Sequence, residues 1–165
     1  MNAEKLTQKS AEAIRAAQQA AQEYGNPQIE QVHLLLALLQ DPEGLIPQLL
    51  SGMGVTVPSL QAAVQALVDR QPKVSGYGHE MGKVYISSDT DKALNRAEKI
   101  AGEMKDEYTS VEHLFLGLLE TADRELGKIF SDYRITKEGA LQALTAVRGS
   151  QRVTSDNPEE TYGAL

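Results

Sequence analysis

The sequence contains no cysteine and no tryptophan, and aromatic residues make up only 5% of it. Without cysteine the chain forms neither disulfide bonds nor thiolate metal sites, which is compatible with the cytoplasm. Its core must be built from leucine, valine, isoleucine and alanine. No apolar run approaches the ~20 residues that cross a bilayer, and the first residues lack the apolar segment of a secretory signal. We therefore expect a cytoplasmic location and no membrane partner.

The balance of charges argues against nucleic acid as a partner. The formal net charge is −7, with 16 basic residues scattered among 23 acidic ones. A phosphate backbone is bound by clustered lysine and arginine side chains, and no such cluster is present in the sequence. At 165 residues, the chain is long enough for one domain with a substantial core.

The most informative pattern is an internal repeat with a constant spacing and no gaps. Residues 33–39 return, nearly unchanged, as residues 113–119. The same spacing relates further pairs on both sides: Ala13 and Ala93, Ala17 and Ala97, Ala21 and Ala101, Glu23 and Glu103, Ser51 and Ser131, Thr56 and Thr136, Ala63 and Ala143, and Ala66 and Ala146. A duplication of this length predicts two copies of one structural unit.

Within each copy, apolar and small residues recur at helical spacing. The predicted helices cover residues 3–24, 30–40, 44–52, a segment capped by Thr56, then 89–104 capped by Ser88, 110–120, 124–132, and a segment from Thr136 to about 148. Pro58 is tolerated in the first turn of the fourth helix. No segment predicts a convincing strand, and residues 83–86 are the only candidate.

We therefore predict an all-α fold of about eight helices. Two four-helix repeats, at about 3–70 and 88–148, would be related by pseudo-twofold symmetry and packed as one domain over residues 1–148. Residues 71–87 lose the helical periodicity and are typical of a linker. The polar residues 149–165 are expected to connect this domain to a further module.

A possible phosphate loop at residues 76–83 fails on detail. Tyr77 stands where a P-loop needs glycine, and Val84 follows Lys83 where it needs serine or threonine. We interpret this segment as linker.

The three histidines, His33, His79 and His113, do not have the clustered spacing of a zinc site. Because the spacing of the repeat separates His33 from His113, we interpret this pair as equivalent helix starts, where each imidazole packs and forms hydrogen bonds in the first turn. We expect neither a metal site nor a catalytic centre.

The start of the sixth helix contains an acidic cluster formed by Asp106, Glu107 and Glu112. Thr109 and Glu112 have the spacing of a capping box, which the first copy cannot form. The cluster is typical of a solvated loop beside a helix N-terminus. A functional version would be an acidic rim beside an apolar patch.

Residues 29–34 in the first copy and 109–119 in the second resemble the Clp N-terminal repeat, the amino-terminal domain of the AAA+ Clp unfoldases. Residues 6–7, 70–74, 148–154 and 157–165 are similar to the ATP-driven protein disaggregases of this family. The resemblance covers essentially the whole chain.

The resemblance implies a mobile, all-helical N domain that binds exposed apolar stretches of unfolded or aggregated proteins. The domain would be joined flexibly to a hexameric ring with two ATPase modules per subunit. The ring threads polypeptides through its pore during heat stress, in cooperation with the DnaK chaperone system. ATP and Mg²⁺ would bind in those modules and no cofactor in this part, which is expected to be a monomer and not itself an enzyme.

The resemblance also implies site residues. In the family, a Thr in the first helix, an Asp before the sixth and a Glu in its first turn are tied to binding; the matching residues are Thr7, Asp106 and Glu112. The family's groove between the first and fifth helices carries over to Ala93, Leu94, Arg96 and His113. At the position of Arg96 the family can have leucine. His113 is a second departure from the family's pattern.

Two alternatives come from different functional classes. The first is an adaptor-docking N domain of a Clp protease unfoldase, which would bind one folded partner. The second is a small helical enzyme, for which the sequence offers no credible nucleophile, metal cluster or cofactor loop.

Overall fold

Eight α-helices form the fold in the computed structural model, which describes residues 2–74, 84–149 and 152–160. They are α1 (Gln8–Glu23), α2 (Gln31–Leu38), α3 (Leu45–Gly52), α4 (Val57–Asp69), α5 (Ser88–Glu103), α6 (Val111–Thr121), α7 (Arg124–Asp132) and α8 (Lys137–Arg148). The predicted all-α fold of two related four-helix sets is confirmed. The first helix begins later than predicted because Ala3–Lys5 form a separate 3-10 turn. None of the helices within the described ranges is long and apolar enough to span a bilayer.

The two central helices, α2 and α6, are buried on nearly every side. They contact each other, and each also contacts α1. Leu34, Leu35, Leu114 and Phe115 are at most 2% exposed. Since burying apolar surface is the main driving force of folding, and one continuous core contains residues of both repeats, each repeat covers apolar surface that the other would expose.

Two short parallel pairings also link the repeats. β1 (Gln28–Ile29) pairs with β2 (Tyr85–Ile86), and Leu6 pairs with Thr109 in an isolated bridge. The spacing of the repeat relates Ile29 to Thr109 and Leu6 to Ile86, so the two pairings are equivalent. Each repeat thus holds the entry of the other's first helix. The sequence predicted a strand candidate only at 83–86, since two-residue strands are too short to show alternation.

The first helix of each repeat is capped by an equivalent hydroxyl. Thr7 Oγ1 accepts from the N–H of Ser10 at 3.2 Å, and Ser87 Oγ accepts from the N–H of Thr90 at 3.1 Å. The prediction that Ser88 caps α5 is wrong, because Ser87 holds the extended backbone of an N-cap and Ser88 is already helical.

The caps of the fourth helices agree better with the sequence. Thr136 accepts from the N–H of Gly139 at 3.0 Å, as predicted. Thr56 occupies the predicted N-cap position of α4, and Pro58 lies in the first turn, where its missing N–H has no cost.

The second repeat packs α5 against α6 through Gly117. A Cβ at this position would lie 2.5 Å from the carbonyl oxygen of Ala93 and 3.2 Å from Cβ of Ala97. The equivalent residue of the first repeat is Ala37, which is partly exposed. The two repeats therefore differ in how closely their first and second helices approach.

We expect the change Gly117→Ala to lower the free energy of unfolding by about 2 kcal/mol, because it overpacks a backbone contact. This loss should occur although alanine has the higher helix propensity. The matched control is Gly102→Ala in α5, where the new Cβ meets nothing within 4 Å and should stabilise by up to about 1 kcal/mol. Urea unfolding measures both; a gain in stability for both variants would contradict the close approach.

Candidate functional site

His33 closes the first turn of α2 from within. Its Nδ1 accepts the backbone N–H of Glu30 at 2.8 Å, so Nε2 carries the proton and donates to Oδ1 of Asn26 at 2.8 Å. The imidazole is fully buried, and burial lowers its pKa from 6.5 to about 4. The side chain is a neutral structural element, as the sequence indicated.

His113 has the same role at α6. Its Nδ1 accepts the N–H of Ser110 at 2.9 Å, and its Nε2 donates to Oδ2 of Asp106 at 2.7 Å. The predicted capping box of Thr109 and Glu112 is wrong, because Ser110 is the N-cap and His113 stands at the third helical position. His113 is fully buried and lines no groove, which corrects the position expected from the resemblance.

A buried ionic cluster joins Asp106 and Glu112 to Arg148. The guanidinium donates to Oδ1 of Asp106 and, at 3.2 Å, to Oε2 of Glu112. Burial acts to raise the pKa of Asp106, but hydrogen bonds from His113, the N–H of Val153 and Arg148, with the charge of Arg148, hold this pKa below its usual value. Asp106 and Arg148 therefore form a charged pair inside the domain.

The first repeat does without these charges. Its equivalent positions hold an amide and two buried apolar side chains: Asn26, Val32 and Val68. The repeat folds in the same way with either set, so the fold itself does not require the ionic cluster. The second repeat has acquired it at a point where the copies diverge.

The structure brings two of the expected binding residues beneath a single segment of the chain, residues 152–160. The N–H of Val153 donates to Oδ1 of Asp106 at 2.9 Å, and the hydroxyl of Thr7 donates to Oε2 of Glu159 at 2.7 Å. Thr7 is a buried N-cap and not a residue within the first helix, as the predicted helix bounds implied. Glu112 is also buried, at 1% exposure.

The expected groove between α1 and α5 is nearly closed. Only a crevice of about 10 Å³ remains there, lined by apolar residues that include Ile14, Ile86 and Leu94. Ala93 lies on the other side of α5, against Gly117, and is 1% exposed. Leu94 lines this crevice but is only 5% exposed, and both Leu94 and Ala93 belong to the core.

An open groove of about 490 Å³ lies instead between α1, α2 and the start of α3. Its apolar part is formed by Ala13, Ala16, Ala37, Leu38, Leu45, Ile46 and Val111. Its rim has one lysine and four carboxylates: Lys9, Glu12, Asp41, Glu43 and Glu159. An apolar floor beneath an acidic rim favours apolar ligands with basic neighbours.

The second repeat closes the equivalent groove with the side chain of Gln31. Its amide donates to the carbonyls of Asp89 and Thr121 at 2.9 and 3.0 Å, and its oxygen accepts the N–H of Asp123 at 2.8 Å. In the groove of the first repeat, the equivalent position is occupied by Val111, whose apolar side chain cannot form such a bridge. The groove is consequently open on one side of the pseudo-twofold axis.

Arg96 also helps to close the groove of the second repeat. It pairs with Glu103 at 3.0 Å and with Glu120 at 3.1 Å, and Lys137 joins Glu120 at 3.4 Å. The equivalent of Arg96 in the groove of the first repeat is Ala16. The departure from leucine at Arg96 thus places an ion-pair network, not apolar surface, on α5.

Within the described ranges, no group of three or more His, Asp or Glu side chains could hold a metal ion. The segment compared above with a phosphate loop, residues 76–83, and His79 with it, lie outside the described residues.

Comparison with known proteins gives a consistent match. The family model described as the Clp repeat N-terminal domain matches residues 5–133. The chaperone protein ClpB of Bacillus cereus is 41% identical over 165 residues, and that of Nitratidesulfovibrio vulgaris is 40% identical over 166 residues; the alignments cover 100% of this chain and 19% of each relative. The chain thus spans about a fifth of the length of these relatives.

Solved structures share the fold. The Hsp104 N-terminal domain from Candida albicans matches with a TM-score of 0.81 at 22% identity, over 93% of this chain and 98% of that one. A ClpV N-domain in complex with a VipB peptide matches with a TM-score of 0.66 at 19% identity, over 94% and 91% of the two chains.

Proposed function

Because the chain belongs to the Clp repeat N-terminal domain family, and its curated relatives are ClpB chaperones, we propose that this ClpB-like N domain binds exposed apolar segments of unfolded or aggregated proteins. The observation that carries the proposal is the open groove on the first repeat. It offers the partly exposed side chains of Ala16, Ala37 and Leu45 between α1, α2 and the start of α3. A site of this kind needs no catalytic residue.

The apolar area that a ligand buries sets the expected affinity. Burying ~300 Å² of apolar ligand surface contributes about 7 kcal/mol at ~25 cal/mol per Å². Association entropy offsets much of this gain, which leaves an affinity roughly between micromolar and millimolar. Weak binding suits a domain that must release its ligand for the next step, and several tethered copies would raise the effective affinity.

The charges around the groove differ from those inferred from the sequence. The resemblance ties Asp106 and Glu112 to binding, but both pair with Arg148 inside the domain. The rim carboxylates of Glu12, Asp41 and Glu43 take over that role in the proposal. A lysine-flanked apolar peptide should therefore bind more tightly than a glutamate-flanked one, and the difference should shrink as salt is added.

The test replaces an alanine in the groove by lysine. The lysine side chain fills the groove and brings a positive charge to its acidic rim. A fluorescently labelled, reduced and carboxymethylated protein serves as unfolded reporter, and fluorescence anisotropy measures its binding. We expect Ala16→Lys to weaken binding at least tenfold. The matched control, Ala146→Lys on an exposed face of α8, should change it less than twofold. Equal effects of the two variants would contradict the proposal.

The role of the whole protein is part of the proposal, since the chain spans about a fifth of its relatives. We propose a hexameric AAA+ ring in the cytoplasm that binds ATP and Mg²⁺ in modules outside this chain. The ring would thread captured polypeptides and act with the DnaK system during heat stress. The Clp family membership supports this assignment, and the domain in hand contributes the capture step.

The adaptor-docking alternative has one observation in its favour. A related ClpV N-domain was solved with a single defined partner peptide, from VipB. A survey of bound proteins distinguishes the two functions: stoichiometric binding to one folded adaptor would favour the alternative, and binding to many unfolded chains would favour capture.

A further inference from the structure

Residues 152–160, here called the strap, lie across the junction of the two repeats and end in a 3-10 turn, Pro158–Glu160. On the second repeat, the carbonyl of Val153 accepts the N–H of Glu107 at 2.7 Å. On the first repeat, the carbonyl of Asp156 accepts the N–H of Gln8 at 2.7 Å. The strap therefore forms backbone hydrogen bonds with both repeats, and main-chain hydrogen bonds are one way in which proteins hold a bound peptide.

Several side chains of the strap contribute to its hold: Oδ2 of Asp156 accepts from the side-chain amide of Gln8 at 3.2 Å, and Pro158 is buried. Val153 is fully buried and donates its N–H to Asp106, while Thr154 and Ser155 are exposed. Six residues after Val153, Oε2 of Glu159 accepts the hydroxyl of Thr7 at 2.7 Å and the N–H of Val111 at 3.3 Å. Among the contacts of the strap, Val153 supplies an aliphatic anchor and Glu159 supplies an acceptor six positions later.

Glu159 also connects the strap to the open groove, because it lines the end of the groove beside Val111. Withdrawal of the strap would extend the open groove towards Thr7 and Asp106, which the strap now covers. The surface available to a ligand is thus divided into a free part and a part already occupied by the chain itself.

We propose that the strap is a displaceable internal ligand, and that the surface beneath it binds polypeptide segments with a β-branched aliphatic residue six positions before a carboxylate or amide side chain. This inference rests on the proposed function and names the ligand class for an additional part of the site. The strap competes with such ligands, so the domain binds them weakly until the strap is released.

The Glu159 carboxylate is held in a buried position that disfavours its charged form. Burial raises the pKa of the Glu159 carboxyl against the opposing hydrogen bond from Thr7, and the nearby charge of Glu112 raises it further. Its second oxygen, Oε1, is buried and accepts no hydrogen bond from the described residues. An amide would keep the acceptor and remove the charge, so Glu159→Gln should hold the strap more firmly.

The test adds a labelled peptide with the sequence of residues 152–160 to the full chain. In the wild type, the tethered strap competes at an effective concentration near millimolar, and the added peptide should bind poorly. Val153→Asp places a charge in an apolar site and should release the strap. We expect it to raise peptide affinity at least tenfold. Thr154→Asp, with the same charge at an exposed neighbour, should match the wild type, and Glu159→Gln should bind less peptide.

Amide hydrogen exchange of the unaltered chain gives a second, independent measurement. The N–H of Val153 should exchange at least a hundredfold faster than that of Leu118 in α6, because the strap opens without global unfolding. If Val153→Asp folds but gains no affinity, the proposal is overturned. If that variant does not fold, exchange decides, and equal protection of Val153 and Leu118 overturns it. The Ala16→Lys test addresses the open groove alone, so the two proposals fail separately.

Discussion

The change Arg148→Met should lower the free energy of unfolding by about 3–5 kcal/mol, the cost of leaving buried carboxylates without their counter-ion. Arg148 is 3% exposed and donates to both Asp106 and Glu112. Methionine keeps much of the volume but none of the donors. Urea unfolding at pH 7 measures the loss.

The matched control is Arg96→Met. Arg96 also contacts two carboxylates, Glu103 and Glu120, but on the surface of α5. Exposed pairs contribute about 0–1 kcal/mol, so this variant should lose little. Similar losses for the two arginines would show that the internal cluster is no more important to stability than a surface one.

A triple variant separates stability from function. This variant carries the residues of the first repeat at the three positions of the cluster: Asp106→Asn, Glu112→Val and Arg148→Val. It should recover most of the stability lost in Arg148→Met. The reason is that a buried ion cluster is often replaced by apolar residues without loss. The triple variant should still loosen the strap, since the introduced amide would present an uncharged oxygen to the N–H of Val153. A triple variant less stable than Arg148→Met would contradict this account.

Acidification should remove about 3 kcal/mol of stability through His33 alone between pH 6.5 and pH 4. Burial lowers the pKa of His33 from 6.5 to about 4, so below pH 6.5 the unfolded chain takes up a proton that the folded domain excludes. Each pKa unit corresponds to about 1.4 kcal/mol. The contribution is fully present above pH 6.5 and is lost as the pH falls towards 4.

The physical reason lies in the hydrogen bonds of the ring. Protonation at Nδ1 would place two donors face to face, the imidazole and the N–H of Glu30. In His33→Gln this part of the pH dependence should disappear, at a constant cost for the lost cap. NMR titration of the His33 ring gives a direct check, and a midpoint near 6.5 in the folded domain would contradict the burial argument.

Much of the fold was predictable because the chain repeats itself. The helical spacing of apolar residues within the two copies placed all eight helices, and the predicted starts of α7 and α8 fall within a residue of the observed ones. The short strands escaped because two residues carry no periodic signal. The sequence placed both histidines in the first turn of a helix, but their bonding partners escaped for a different reason: a side chain that accepts from its own helix start has no composition signature. The pairs His33 with Asn26 and His113 with Asp106, which share one sequence separation, were the available clue.

The sequence also contains a signal of the ionic cluster. Aligning the copies shows Val32 replaced by Glu112 and Val68 by Arg148. A new acid and a new base at two buried positions predict an internal pair. The strap gave no such signal, because its backbone hydrogen bonds and its two anchors, Val153 and Glu159, leave no periodic pattern in a polar segment. The open groove depends on the difference between Gln31 and Val111. The sequence shows this difference, but only the structure shows the three backbone groups with which Gln31 forms hydrogen bonds.

The most direct test of the central claim is an NMR titration of the domain with the unfolded reporter. If the open groove captures polypeptides, amide shifts should cluster at Ala16, Ala37 and Leu45, and extend to Val153 as the strap is displaced. Shifts confined to α7 and α8, or no shifts at millimolar reporter, would contradict it.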